Sequence, residues 1–254
     1  METDKLLLQA IDNNDFFHDF IVFLKYLEEQ PIKRTVTGNI SLADIAALQK
    51  RFRQQRIFEQ FKEFNWKINS ERVVEFLTQI KIIAEAMYVT YKRRDKLILS
   101  KNGRGYLHNI DATTQYLNMV IHYWKRVNWD YFSPSPYKEK ISVMNILQEN
   151  QDIIWEAISR KGEEWIDFDT FCHTLKAYFH LDTFYNKDNE YSYHLDIEYG
   201  LLKKNLVRFG CVEFKEEADK YNFKRIVQFR ATKLGLFVFQ SRLLSVISNG
   251  MYVM

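Results

Sequence analysis

The stretch Lys96–Leu107, "KLILSKNGRGYL", joins a short apolar run to two glycines two residues apart, flanked by Lys101 and Arg104. It lacks the Gly-Lys-Ser/Thr ending of a phosphate-binding P-loop and the glycine spacing of a dinucleotide fingerprint. A second stretch, Gln228–Phe239, "QFRATKLGLFVF", has the same order. Ser100 falls on Thr232, Lys101 on Lys233, Gly103 on Gly235 and Leu107 on Phe239. Both follow an alternating, strand-like segment and precede a helical one. The shared pattern therefore reads as a sharp strand-to-helix turn in which a hydroxyl caps the helix and a glycine lets two backbones approach.

The flanking sequence repeats in the same order. "NDFFHDFIVFLKYLEE" (Asn14–Glu29) places Phe16, Phe17, Phe20, Ile21, Phe23, Leu24 and Leu27 at helical spacing, and Pro31 ends it. "IKRTVTGNI" predicts a short extended segment with a turn. "SLADIAALQKRF" predicts a helix capped by Ser41, and "SERVVEFLTQIKIIAEAM" a third helix capped by Ser70. "YVTYKRRDKLILS" reads as a hairpin with its tip at Lys92–Asp95. Downstream, "ENQDIIWEAISRK" predicts one helix, "GEEWI" an extended piece and "DFDTFCHTLKAYF" a helix capped by Asp167. "YHLDIEYGLLKKNLVRFG" predicts a single helix ended by Gly210, and "CVEFKEE" with "KRIVQFRAT" a second hairpin. The expectation is a mainly α chain with small β-hairpins, built from two α-β-α-α-β-β-α units joined by a helical, Pro-containing linker. The expected division is 1–132, a linker at 133–140 around Ser133–Pro136, and 141–254.

Composition agrees with this class. Only 3 Pro and 8 Gly in 254 residues disfavour loop-rich all-β folds. Aromatics at 16%, mostly Phe and Tyr, supply a large core. The opening "METDKLLLQAIDNNDFF" is unlike a signal peptide and no apolar run reaches a membrane span, so a cytoplasmic protein with no membrane partner is expected. Cys172 and Cys211 form no Cys-x-x-Cys pair and read as buried thiols.

Two units of three helices and a hairpin, each ending in Ser/Thr-Lys-x-Gly, resemble tandem winged-helix domains with the hairpin as the wing. "PIKRTVTGNISLADIAAL" (Pro31–Leu48) resembles a segment recurring in uncharacterised prokaryotic winged-helix proteins and, more weakly, in helicase-associated winged-helix modules. The resemblance implies a third helix near the major groove and a wing on the backbone. The basic residues then fall into four groups: Lys50, Arg51, Arg53 and Arg56; Lys92, Arg93, Arg94 and Lys96; Lys101 and Arg104; and Lys203, Lys204 and Arg208. All are candidate nucleic-acid contacts, mostly to phosphates. A net charge of +3 permits an anionic partner without demanding one. Glu71, Glu75 and Glu85 in the first unit's third helix oppose duplex DNA, as do Asp196 and Glu198 at the start of the second unit's, so wing-led contact is expected rather than base readout.

Three further features are weighed. "HYWKRVNWDYF" (His122–Phe132) has the composition of a base-stacking surface, although shared helical spacing of Tyr123, Trp124, Val127 and Tyr131 favours packing. Cys172, His173, His180 and His194 match no zinc spacing, and "DFD" (Asp167–Asp169) is explained by capping, so no metal or other cofactor is expected. No nucleophile elbow or activated cysteine is present, which favours a non-enzymatic protein. The alternative to nucleic-acid binding is a winged-helix scaffold or accessory subunit that contacts protein, including a second copy of itself, in a helicase, nuclease or regulatory complex.

Overall fold

Helical periodicity at the start of the chain produces α1 (Glu2–Asp12) and α2 (Asp15–Glu29). The computed structural model describes residues 2–134, 142–183, 190–219 and 222–241. The Asn14 side chain accepts the Phe17 N–H at 2.7 Å, satisfying one of the donors a helix start leaves open. The predicted face of α2 is buried at Phe16, Phe17, Phe20, Phe23, Leu24 and Leu27, while Ile21 is half-buried. Gln30, in extended conformation before Pro31, ends the helix.

Next come β1 (Ile32–Lys33), α3 (Leu42–Gln49) and α4 (Arg56–Glu63), then α5 (Glu75–Ala86), β2 (Thr90–Arg93), β3 (Lys96–Leu99), α6 (Lys101–Asn109) and α7 (Ala112–Arg126). Ser41 caps α3 by accepting the Asp44 N–H, as its sequence predicts. Three differences from the sequence reading stand out, the first being α1, which precedes the first expected helix. An additional helix, α4, sits between the second and third expected helices. Buried Asp19 accepts the N–H groups of Arg53 and Gln54 just before it, and Phe58 packs edge-on to Phe76. Ser70 does not cap the third helix. Its side chain makes no capping bond, and a 3₁₀ turn at Glu71–Val73 precedes α5. That turn is fixed because buried Glu71 points inward, accepting the Ile40 N–H at 2.7 Å and pairing with Lys81 at 2.6 Å.

The second half contributes a 3₁₀ turn at Trp129–Phe132, α8 (Val143–Glu149), α9 (Gln151–Arg160), β4 (Ile166–Asp167), α10 (Phe168–Tyr178) and α11 (Glu190–Leu195). A π-helix over Asp196–Val207, β5 (Val212–Ala218), β6 (Lys224–Ala231) and α12 (Lys233–Gln240) follow. The helix expected from "ENQDIIWEAISRK" is α9, and an additional α8, opened by a Ser142/Asn145 capping box, precedes it. The expected long helix ending at Gly210 is α-helical only to Leu195 and then π-helical. Glu198 pairs with Lys203, five residues on, at 2.7 Å. At 3.6 residues per turn these positions would lie about 140° apart; the wider π winding brings them onto one face.

The chain divides at Val127/Asn128 into two compact units. The expected linker begins later: Ser133 bonds Asp196 within the second unit, and 135–141 lie outside the described residues. The division splits the aromatic stretch. Tyr123 and Trp124 are buried in the first unit, while Trp129 packs on Trp155 in the second, and Trp155 stacks on Phe239. Each unit is mainly helical with one small antiparallel sheet, ordered β1-β3-β2 in the first and β4-β6-β5 in the second.

The strand-to-helix corner recurs atom for atom. Ser100 N–H donates to the Val89 carbonyl at 2.9 Å, and Thr232 N–H to the Cys211 carbonyl at 3.0 Å. Their hydroxyls donate to the carbonyls of Tyr88 and Gly210, and accept the N–H of Gly103 and Gly235 at 2.9 Å each. Tyr88 and Gly210 themselves have φ of +56° and +70°, ending the preceding helix in the left-handed region. "KNGRG" is thus the first turns of α6 rather than a loop.

A Cβ at Gly103 would be driven into the Val89 carbonyl oxygen, and one at Gly235 into the Cys211 carbonyl. A Cβ at Gly105 would meet nothing closer than the Asn109 side chain at 3.9 Å. Gly103→Ala and Gly235→Ala should each destabilise by about 2 kcal/mol or more, whereas Gly105→Ala should stabilise by about 0.5–1 kcal/mol. Urea denaturation of the three variants checks this.

Candidate nucleic-acid interface

Strand register decides which basic side chains share a surface. In the first sheet Leu97 and Leu99 of β3 are buried, so Lys96 and Ile98 point outward. Lys96 is paired with Arg93 on β2 and with Lys33 on β1. Lys33, Lys96 and Arg93 therefore form one cross-strand row on the outward face, and all three are exposed. Like charges directly opposite each other in a sheet are destabilising. Among the described residues no carboxylate is paired with any of the three side chains. The next row on the same face is Tyr91, 45% exposed, opposite Ile98. Arg94 extends the charge into the turn with φ of +55°, and Lys101 and Arg104 are exposed on the first turn of α6.

Lys33 and Tyr91 were not among the candidate contacts. Their sequence signal is only an alternating pattern; the register that places them beside Arg93 and Lys96 is a tertiary fact. The β1 backbone is further held by the Lys33 N–H donating to the Asp44 carboxylate, which also accepts the Tyr26 hydroxyl. Burial first, then the hydrogen bond to Asp44, pushes the Tyr26 phenol up to about 12.

The other candidates are dispersed. Lys92 lies on the opposite side of the sheet and pairs with Glu85 at 2.9 Å. Arg51 is held by both oxygens of Glu29 at 2.8 Å and lies over the Tyr26 ring. Arg53 donates to the Asp12 carbonyl at 2.6 Å. Lys50 and Arg56 are exposed at the end of α3 and the start of α4. Lys204 and Arg208 are half-buried near the end of the π-helix.

Lys203 is a correction. It is turned inward, bound to fully buried Glu198 at 2.7 Å and to Glu216 at 2.8 Å, with its ammonium 4.8 Å from the Tyr199 ring centroid. Arg225 closes the network on Glu198 at 2.8 Å. Burial alone would lower the Lys203 pKa, but its bonds to Glu198 and Glu216 outweigh burial and raise it. Of the carboxylates expected to repel DNA, Glu71, Asp196 and Glu198 are buried, while Glu75 and Glu85 are half-buried on α5. No residue of α5 is exposed, and from Ser192 to Val207 every residue is buried or half-buried. The third helix of each unit therefore offers no fully exposed residue, and its accessible positions are half-buried.

The second sheet has the same topology and different chemistry. The row matching Lys33–Lys96–Arg93 is Asp167–Gln228–Lys215, and Lys215 donates to Gln228 at 3.1 Å. Arg230 is paired with Glu213, and Lys215 and Arg230 both lie against the Trp165 ring, at 4.0 and 4.6 Å from its centroid. On that face Arg230 has a carboxylate partner, and Lys215 is held by an amide and an aromatic ring.

The expected stacking stretch does not form a surface. Tyr123, Trp124, Trp129 and Phe132 are buried, and Tyr131 alone among its large aromatics is exposed. Cys172 is buried, and desolvation first, then Asp169 and Glu198, pushes its thiol far above the usual range. Asp167 caps α10 by accepting the Thr170 N–H, which holds its carboxyl below the usual value. Among the described residues no group of three His, Cys, Asp or Glu is placed to hold a metal, and no helix is long and apolar enough to cross a membrane.

Comparison with known proteins gives no match, whether among family models, curated proteins or solved structures.

Lys203→Met should destabilise the second unit by about 3 kcal/mol, because it removes one partner from a buried ion network. Lys33→Met, on an open surface, should change stability by less than about 0.5 kcal/mol. Chemical denaturation of both distinguishes the inward lysine from the outward one.

Proposed function

We propose that this chain is a non-enzymatic nucleic-acid-binding protein of two winged-helix-like units, and that contact is led by the first hairpin. The helix, strand and hairpin order of each unit supports the winged-helix-like assignment, with α4 as an insertion in the first. The observation that carries the functional reading is the row Lys33–Lys96–Arg93. Three adjacent cations without carboxylate partners among the described residues raise the energy of the folded protein, and a polyanion lowers it again. Arg94, Lys101 and Arg104 stand near enough in sequence and exposure to widen the same contact. The bonds are to phosphates, so they position the protein without reading sequence.

A second reading, a scaffold that contacts another protein, is supported by Phe64 and Trp66. They are 59% and 62% exposed and stacked on each other at 5.0 Å, with Phe61 edge-on to Trp66. If Phe64→Ser with Trp66→Ser leaves both the sedimentation behaviour and the set of co-purifying proteins unchanged, that reading is removed.

The primary test is fluorescence anisotropy with labelled DNA across a salt series. Affinity should fall steeply with salt, and Lys33→Gln, Arg93→Gln and Lys96→Gln together should flatten the log–log slope by about 2–3. Lys96→Gln alone should raise folding stability by about 0.5 kcal/mol while weakening binding, since it relieves cross-strand repulsion. Absence of binding at low salt, an unaltered slope in the triple variant, or binding to phosphatidylserine vesicles in place of DNA would each overturn the proposal.

A further inference from the structure

We infer that the first sheet takes single-stranded nucleic acid in preference to duplex, with phosphates along Lys33–Lys96–Arg93 and a base against Tyr91. The inference rests on the nucleic-acid reading above and names its substrate class. Two observations disfavour the usual duplex geometries. A major groove admits an α-helix or a two-stranded ribbon. The third helix of each unit offers no fully exposed residue, and the half-buried stripe of α5 includes Glu75 and Glu85, which repel phosphates. Nor is the first hairpin a free ribbon: β1 pairs with Lys96 and Leu97, the two residues of β3 next to the turn. The sheet is thus three strands wide at its tip, about 10 Å between its outer strands before side chains are added.

What remains is an open sheet face, and its chemistry suits an unpaired strand. Proteins that bind single strands combine cations tracking the backbone with aromatic rings on which bases stack. Tyr91 lies two residues from Arg93 on the same face, about 7 Å along the strand, and its ring is 45% exposed. Ile98, opposite Tyr91, is half-buried and supplies an apolar floor beside the ring. A duplex keeps its bases stacked inside and offers Tyr91 nothing. A single strand offers both a phosphate row and a free π-face. The matching row of the second sheet differs, because Arg230 is bound to Glu213 and Lys215 is held by Gln228 and Trp165.

The test compares the full chain with oligothymidylate and oligouridylate of 20 nucleotides and a 20-base-pair duplex, by anisotropy at fixed salt. Both single strands, or one of them, should bind more tightly than the duplex, the difference between the two reporting any use of the ribose hydroxyl. Tyr91→Ala should weaken single-strand binding by about 5- to 150-fold and leave the salt slope as it was. Tyr91→Phe should retain affinity. Tyr91→Leu keeps an apolar side chain opposite Ile98 and should behave as Tyr91→Ala does, which separates ring loss from any defect in folding. Duplex binding as tight as single-strand binding, or single-strand affinity unmoved in Tyr91→Ala, overturns this inference while leaving the phosphate-row proposal standing. Absence of binding to all three probes defeats both.

Discussion

The architecture depends on one tight corner, made twice. A helix ends in the left-handed region at Tyr88 or Gly210, and the next residue, Val89 or Cys211, turns its carbonyl toward the returning strand. The hydroxyl of Ser100 or Thr232 then ties that strand to the helix end and opens the following helix. Both halves of the corner meet at a glycine that has no room for a side chain. Because the carbonyl of residue 89 or 211 and the helix N-terminus are fixed to each other, the hairpin has no freedom to slide. Its register, and with it the set of side chains on each face, follows.

That fixed register has electrostatic consequences. Charges that look like surface features in a linear reading are used up inside: Glu71 with Lys81 and the Ile40 N–H, Glu198 with Lys203 and Arg225. A buried ion network costs desolvation and is tolerated when every partner is present. In the second unit it also suits the π winding, since Glu198 and Lys203 meet only if five residues span little more than a turn. With these charges internal, the third helices carry no fully exposed residue, and the outward faces of the sheets carry exposed cations. The two sheets diverge there. One row is cationic beside an open tyrosine, and in the matching row the lysine is held by Gln228 and Trp165. Equivalent backbones thus carry unequal chemistry, and the asymmetry lies in side chains rather than in topology.

Much of the fold was legible in the sequence. The helical spacing of Phe16 to Leu27, the caps at Ser41, Asp167, Ser100 and Thr232, and the paired corner glycines are local signals with local causes, and each has the predicted geometry. The failures share one cause. Ser70 was a reasonable cap, but Glu71 beside it is claimed by Ile40 and Lys81 from elsewhere in the chain. Lys203 sat in a basic cluster, yet Glu216 arrives from β5 and Arg225 anchors the same Glu198 from β6. Four large aromatics of His122–Phe132 went into two separate cores instead of one surface.

The sequence by itself determined the two strand-to-helix corners, most of the helical segments and that the pattern occurs twice, because periodicity, capping and glycine act over a few residues. Only the tertiary structure decided which charges face water. Lys33 is sixty-odd residues from Lys96, and nothing short of the β1–β3 register puts them side by side with Arg93. Burial and cross-strand pairing are long-range, so the candidate interface, unlike the corner that positions it, could be read only from the folded chain.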